Sequence, residues 1–362
     1  MSGLSSRIKA FTQLGLFLRK LIDNQMKRLH LSQLEHFHSN IEQVDLIQNK
    51  IIDYINYATH YNPWFTKDFL MIALEGWSQL LYEQKIYKWL DSYNFKSQMK
   101  VKRVGVVMAG NIPMVGFHDY LSVILSGHQL VAKLSSDDQH LIPLFHDFIS
   151  LVEPSLKNSA EFTTDQLIKP EAIIATGSTN TSRYFEYYFG KYPNIIRKNR
   201  NGLAVLDGQE TEEELQGLCK DIMTYFGLGC RNVSKIYVPD GYIFKPLYHQ
   251  IESFSNLQNH HKYYNNYEYN KANFLVNKIS HFDNGFLMFK EDTSYSAPIA
   301  VVYYETYDNL EELKRKLTID QQSIQCVIGH QFIEFGMAQK PDLHDYADGV
   351  DTMQFLMNIG EY

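Results

Sequence analysis

The stretch KRVGVVMAGNIP, residues 102–113, decides how the rest of the chain is read. A short β-branched run ends in Gly110, Asn111 and Pro113, the pattern of a buried strand running into a loop. Working outward, Val115–Ser126 has helical spacing and is followed by Gly127. QLVAKLS (129–135) is a second strand with Val131 and Leu134 apolar. A helix from about Asp138 to Leu151 opens on acidic residues. EAIIATG (171–177) is a third strand, and STNTSRYFEYYFG (178–190) is a helix with Gly190 as its C-cap. Strand and helix alternating over 101–190 predict a parallel sheet with right-handed crossovers. Such sheets bind ligands beyond the carboxyl ends of their strands. The polar clusters Gly110–Asn111, Lys133–Ser136 and Gly177–Ser178 all fall at strand ends.

A second unit begins near Asn201. GLAVLDG (202–208) is a strand with a turn. Thr211 to Phe226 is a helix that Thr211 can cap, with Glu212–Glu214 at its positive end. The glycine-bracketed loop GLGC (227–230) precedes the strand VSKIYVP (233–239). HHKYYNNYEYNKANF (260–274) reads as an exposed insertion rather than a core element. APIAVVYYE (297–305) and SIQCVIG (323–329) are strands flanking a short charged helix, DNLEELKRKL. The tail from Phe335 has no clear period. Before residue 100 the chain reads as mostly helical, punctuated by Tyr61–Asn62–Pro63. Its first helix places Ile8, Phe11, Leu14, Leu18 and Leu21–Ile22 on one face, to pack on the body of the protein rather than to dock on a membrane.

The totals bound the function. At about 100–200 residues per domain, 362 residues make two or three domains. A net charge of -7 gives no general pull toward nucleic acid or anionic membrane. No stretch approaches the roughly 20 apolar residues of a membrane span. Three cysteines, Cys219, Cys230 and Cys326, cannot all pair and fit no zinc spacing, so a reduced, cytoplasmic compartment is expected. His260–His261 lacks a third ligand at useful spacing, and no metal site is expected.

Cys230 is the candidate nucleophile. Gly227 and Gly229 allow a sharp bend and close approach of a substrate, and Arg231 would favour a thiolate if its charge lies near the sulfur. A buried structural cysteine is the alternative, and Cys219 and Cys326 read that way. The Asn111 side-chain amide, at a strand end, can face a developing oxyanion or merely shape a turn. Lys133 can meet a phosphate or ribose, or be solvated. In ATGST (175–179), Gly177, Ser178 and Thr179 bring a strand to a helix start, an anion site. GxGxxG, Walker, GxSxG and HExxH patterns are absent.

Taken in order, GNIP, VAKLSSDD, ATGSTNTSRYF and GLGC–RNVSKIYVP resemble the aldehyde dehydrogenase superfamily. More closely they resemble the long-chain acyl-CoA reductase family, whose best-known member supplies fatty aldehyde to bacterial luciferase. The tail AQKPDLHDYADGVDTMQFL is similar to that family's C-terminus, so the likeness runs from about residue 100 to the end. It implies an aldehyde-dehydrogenase-like α/β fold, with two parallel-sheet domains and a small bridging strand element. Residues 1–199 would be the helical region plus the NAD(P)-binding domain, and 200–335 the catalytic domain. Residues 336–362 would return to the first domain or to an oligomer interface.

The resemblance implies roles. Cys230 is the nucleophile and Asn111 the oxyanion amide, Lys133 holds the cofactor ribose, and Gly177, Ser178 and Thr179 hold its pyrophosphate. The activity implied is NAD(P)H-dependent reduction of a fatty acyl-CoA to the aldehyde, through a Cys230 thioester, with coenzyme A leaving. A homo-oligomer is implied, and an acyl-transferring partner enzyme is one acyl source. Three departures matter. The superfamily's Glu-Leu-Gly-Gly-Lys segment, whose Glu activates water, is here Ile196–Asn201, without a carboxylate. The acidic residue that many NAD-preferring members carry three positions after the lysine is here Ser136, which favours NADPH over NADH, although Asp137 and Asp138 follow. The Glu-x-Phe-Gly-Pro segment is here Ser294–Pro298. His118 and His128 are the histidines nearest the site segments. The rival readings are a hydrolytic aldehyde dehydrogenase, a cysteine acyltransferase without redox chemistry, and a non-catalytic acyl-binding subunit.

Overall fold

A computed structural model of the chain describes residues 3–24, 41–95, 100–167 and 169–360. The helical expectation for residues 25–40 and 96–99 lies outside the described residues. The chain forms two compact units, Met1–Lys198 with Asp342–Tyr362, and Asn199–Pro341.

In the first unit the helices α1 (Leu4–Asp23), α2 (Ile41–Tyr61), α3 (Lys67–Leu80) and α4 (Glu83–Leu90) come first. On α1, Ile8, Phe11, Leu14, Leu18 and Leu21 are all fully buried. The helix packs on α3, and Phe17 stacks on Phe148, centroids 4.5 Å apart. Each such burial contributes roughly 1.5–3 kcal/mol, so this face belongs to the core. Helix α2 stops at the Asn62–Pro63 turn, and Thr66 caps α3 by accepting the Phe69 N–H. Next come β1 (Arg103–Val107), α5 (Phe117–Ser126), β2 (Gln129–Lys133), α6 (Leu141–Val152), β3 (Ala160–Thr163), β4 (Ala172–Thr176), α7 (Thr179–Phe189) and β5 (Asn194–Arg197).

The strands form one parallel sheet in the order β3-β2-β1-β4-β5. Val104, Val106, Ile173 and Ile174 are fully buried, as expected of a sheet covered on both faces. The chain crosses from one side of β1 to the other between β3 and β4. This creates a topological switch point between β1 and β4, where open α/β sheets hold ligands. Two strands of this sheet escaped the sequence reading: β3 and β5 are four-residue edge strands with only two apolar residues each. Helix α6 starts at Leu141, not Asp138, because Asp138 is buried in the preceding turn. Gly190 closes α7 with φ −58, a right-handed conformation, so its N–H, not left-handed freedom, ends the helix.

The second unit contains β6 (Asn201–Val205), α8 (Glu212–Met223), β7 (Val233–Pro239), α9 (Lys245–Ile251), α10 (His261–Val276), β8 (Phe282–Asp283), β9 (Met288–Glu291), β10 (Val301–Tyr307), α11 (Leu310–Ile319) and β11 (Ile324–Ile328). Its six-stranded sheet has the order β11-β6-β7-β10-β9-β8 and is parallel except at β8–β9. Thr211 and Glu214 form a capping box on α8. Residues 260–274 correct the sequence reading. They are no exposed insertion: Tyr263, Tyr267, Asn270 and Phe274 make a buried helical stripe on α10, and His260 caps it by accepting the Tyr263 N–H. Tyrosines scored as polar masked the stripe, although Tyr263 and Tyr267 bury their rings and hydrogen-bond their hydroxyls to Phe286 O and Asp283.

The last helix, α12 (Thr352–Ile359), packs against α5 in the first unit. All named strands belong to the two sheets, and no separate bridging sheet forms among the described residues. No helix among them is long and apolar enough to cross a membrane.

Candidate active site

Three loops leave the carboxyl edge of the first sheet side by side, because Val107 is in register with both Lys133 and Ala175. The first carries Asn111, which is exposed. Gly110 lets this loop lie on the second: a Cβ there would sit 2.4 Å from Ser135 Oγ. Lys133 ends β2 half-buried, and Ser136 and Asp137 are exposed. Asp138 turns inward, 4% exposed, and accepts the Met114 N–H at 2.7 Å. Burial pushes its carboxyl up to about 7. The third loop is Gly177–Ser178. A Cβ on Gly177 would meet the Phe185 ring at 2.8 Å, and Ser178 caps α7 by accepting the Thr181 N–H at 3.2 Å. Thr179 is the first residue of that helix.

The first unit thus brings Asn111, Lys133, Ser136, Gly177, Ser178 and Thr179 to one sheet edge at its switch point. A helix start facing a strand end, with a glycine at the bend, fits the pyrophosphate of a dinucleotide.

The stretch that lacks a water-activating carboxylate is also filled differently. Arg197 is 5% exposed and forms a two-pronged pair with Asp119, at 2.6 and 2.9 Å, while donating to Thr352 Oγ1 at 2.8 Å. Lys198 pairs with Glu186, and Arg200 donates to Gln321 O and Ile324 O. The two histidines hold the C-terminal segment: His118 donates to Leu343 O, and His128 donates to Leu356 O while accepting the Lys102 N–H. Burial lowers the pKa of both.

Cys230 is carried by the second unit, half-buried. Tyr225, Phe226 and Gly227, all at positive φ (54°, 57° and 74°), carry the chain out of α8. A tight turn follows, closed by the Asn232 N–H on Gly229 O at 3.0 Å, with Cys230 at its second position. The Asn232 side chain, 2% exposed, fixes this turn to the helix end. Its Oδ1 accepts the Gly229 N–H at 2.8 Å, and its Nδ2 donates to Asp221 O, Ile222 O and Thr224 O at 3.0, 3.3 and 2.8 Å. On the other side Gly202 presses against the turn, since a Cβ there would sit 2.5 Å from Arg231 O.

Arg231, read as a thiol activator, directs its Nε–H to Ala338 O at 2.5 Å. Asp221 accepts the N–H groups of Gly336 and Ala338 at 2.7 and 3.0 Å, with its carboxyl pushed up to about 6 by burial. The segment 336–338 thereby straps the Cys230 turn. Ser234 Oγ donates to Tyr295 O at 2.7 Å, and Lys235 Nζ to Thr293 O at 2.9 Å, so the Ser294–Pro298 segment is fixed beside it. A cleft flanks the turn, with Ile222, Met223, Phe226, Tyr263, Leu287 and Val302 in its wall. Cys219 and Cys326 are buried. Among the described residues no cluster of three or more His, Cys, Asp or Glu is arranged to hold a metal.

The sequence reading missed Asn232, Asp221 and the Arg197–Asp119 pair. Asn232, two residues after the cysteine and just before a strand, was the one signal available for the turn. The partners of the others are distant in sequence.

No protein-family model matches the chain, and no curated protein matches it. Solved structures do. Aldehyde dehydrogenase 21 from Physcomitrella patens, in complex with the reaction product succinate, is 10% identical, with 99% of this chain and 84% of that chain covered and a TM-score of 0.57. An aldehyde dehydrogenase from Mycobacterium tuberculosis complexed with NAD+ is 13% identical, covering 86% and 70%, TM-score 0.53. A glyceraldehyde-3-phosphate dehydrogenase from Methanocaldococcus jannaschii complexed with NADP is 11% identical, covering 90% and 76%, TM-score 0.54. At these identities the likeness is one of fold: the chain has the aldehyde-dehydrogenase-like α/β fold.

Proposed function

We propose that this protein reduces a fatty acyl-CoA thioester to the aldehyde with NAD(P)H, through a covalent thioester on Cys230. The observation that carries the reading is the half-buried cysteine on a turn braced by Asn232, Gly202 and the 336–338 strap, in a chain of this fold. A braced turn offers a sulfur in fixed position and a backbone N–H beside it. Cys230 thiolate adds to the thioester carbonyl, and the CoA thiolate leaves as the acyl–enzyme bond forms. Asn111 and the Cys230 N–H stabilise the tetrahedral oxyanion, each such donor being worth about 3–4 kcal/mol. When bound, the reduced nicotinamide supplies hydride to the acyl carbon. The same donors hold the second oxyanion, whose collapse expels Cys230 sulfur and frees the aldehyde.

The stretch 196–201 offers no carboxylate to activate water, and its Arg197 is committed to Asp119 and Thr352. The acyl-enzyme is therefore spared general-base hydrolysis, which favours exchange with CoA and reduction over aldehyde oxidation to the acid. Lys133 binds the ribose, and Gly177, Ser178 and Thr179 the pyrophosphate. Ser136 is exposed and uncharged and Asp138 is buried, which favours NADPH over NADH, while the exposed Asp137 beside Ser136 opposes it. A homo-oligomer and a partner enzyme as acyl donor belong to the same reading.

The test is NAD(P)H oxidation at 340 nm over a panel of acyl-CoAs, comparing the parent with Cys230→Ser. Acyl-CoA-dependent oxidation, with aldehyde and free CoA as products and loss of turnover in the variant, is expected. Acyl transfer without cofactor consumption would move the assignment to an acyltransferase.

A further inference from the structure

We propose that Asp138 is a positioning residue that holds the Asn111 loop in its working conformation. The inference rests on the assignment of Asn111 as an oxyanion donor. Met114 lies in the turn that follows Asn111, at φ 56°, a conformation a methionine adopts only when its surroundings hold it. The hold comes from Asp138, whose Oδ2 accepts the Met114 N–H at 2.7 Å between two buried residues. A second contact backs the first. Gly110 lies on Ser135, and Ser135 forms a bridge with Asp138, whose N–H bonds Ser135 O at 3.1 Å. Asp138 thus connects the loop bearing Asn111 to the loop that follows Lys133.

A shorter-range role, opening α6, does not account for Asp138. The helix starts three residues later, and no hydrogen bond from its first turn to this carboxylate is seen among the described residues. A buried carboxylate beside a backbone N–H also gives the loop a titratable anchor. The groups facing it are Asp137 on its own turn and Tyr54 from α2, against which His140 packs, ring centroids 4.8 Å apart. Tyr61 also packs on His140, at 4.8 Å, and lies 6.0 Å from Tyr54. Burial depresses His140 and raises Tyr54, so both are neutral near pH 7, and Asp137 and burial push Asp138 up to about 7. Above that pH the anchor is a carboxylate and its bond to Met114 is charge-assisted; below it the bond weakens.

Three enzymes decide the matter: wild type, Asp138→Asn, which keeps an acceptor without a charge, and Asn111→Ala. Single-turnover reduction of an acyl-CoA by NADPH is followed from pH 5.5 to 9. The Cys230 thiol titrates in both proteins, so the ratio of the wild-type rate to the Asp138→Asn rate is read: it should fall from about tenfold to near one as pH falls through about 7, with the variant's KM within twofold of wild type. Asn111→Ala should lose about 100-fold, and Asp138→Asn should add nothing to it, because both act through one amide. A wild-type to Asp138→Asn rate ratio that does not change with pH, or an effect that multiplies with Asn111→Ala, overturns the proposal. Full activity in Asn111→Ala instead removes the oxyanion role, and the proposal with it, by a different result. Hydrogen exchange over residues 108–116 reads the same contact without turnover. Relative to its intrinsic rate at each pH, the Met114 amide should be protected above pH 7 and lose that protection below it in the wild type, and stay weakly protected throughout in Asp138→Asn; protection equal in both proteins at pH 8 also overturns the proposal.

Discussion

Asn232→Ala puts the account of the Cys230 turn at most risk. The Asn232 amide is 2% exposed and satisfies the Gly229 N–H while donating to three carbonyls at the end of α8. Its two N–H hydrogens serve at most two of those carbonyls well, so truncation orphans about three buried groups. At about 1–3 kcal/mol for each, and allowing for partial relaxation, the loss is roughly 3–5 kcal/mol. That is a large part of the 5–15 kcal/mol that typically holds a domain. At about 2–4 °C per kcal/mol the melting point falls by roughly 10 °C.

The tryptophans make the assay specific. Trp64, Trp77 and Trp89 all lie in the first unit, whereas Asn232 lies in the second. Far-UV circular dichroism should show an early transition that tryptophan emission does not follow. Asn232→Asp serves as a control: it keeps an acceptor for Gly229 but sets a carboxylate against the helix carbonyls, and should be at least as destabilised. An alanine variant that melts within a degree of the parent, or an aspartate variant that is fully stable, refutes the role given to the amide.

Two further outcomes follow from the geometry. Arg197→Ala leaves Asp119 buried without its partner and should cost about 3–5 kcal/mol in chemical denaturation followed by tryptophan emission, while Arg197→Met with Asp119→Leu should recover most of that loss. His330 bridges Asp207 and Glu214 at 2.8 and 3.0 Å; the bridge raises its pKa, while the Asp207 carboxyl is lowered by His330 and that of Glu214 by the Thr211 N–H first and His330 second. The histidine's contribution is full below its unfolded pKa and is lost as pH rises through the folded value; the carboxylates' contribution is lost as pH falls through theirs. The clip therefore stabilises most in a mildly acidic window, above the ordinary carboxylate values and below that of histidine, by no more than about 1 kcal/mol at this exposure. His330→Gln should flatten the melting point against pH, and an unchanged profile counts against the clip.

The strand–loop junctions of the first sheet were legible because a parallel strand buried on both faces must be apolar throughout, and the polar residues after it announce its end. Lys133 and Gly177 were placed correctly at strand ends for that reason. Edge strands β3 and β5 carry no such run. The helix α10 was hidden by tyrosines, whose rings are apolar and whose hydroxyls are not. Asp138 looked like a helix opener because an acid before an apolar run usually is one; its burial is decided by α2 packing over the turn.

The sequence by itself determined the alternation of strands and helices, the polar ends of the strands and the glycine-bracketed Cys230. These are local properties: periodicity, turn chemistry and backbone freedom within a few residues. Only the tertiary structure decided which side chains brace the site. Arg197 meets Asp119, Arg231 turns to Ala338, and Asp221 collects the N–H groups of Gly336 and Ala338. Each of these pairs is separated by many tens of residues. A hydrogen bond between such groups exists only once the sheets have set the distances, and no pattern along the chain records it.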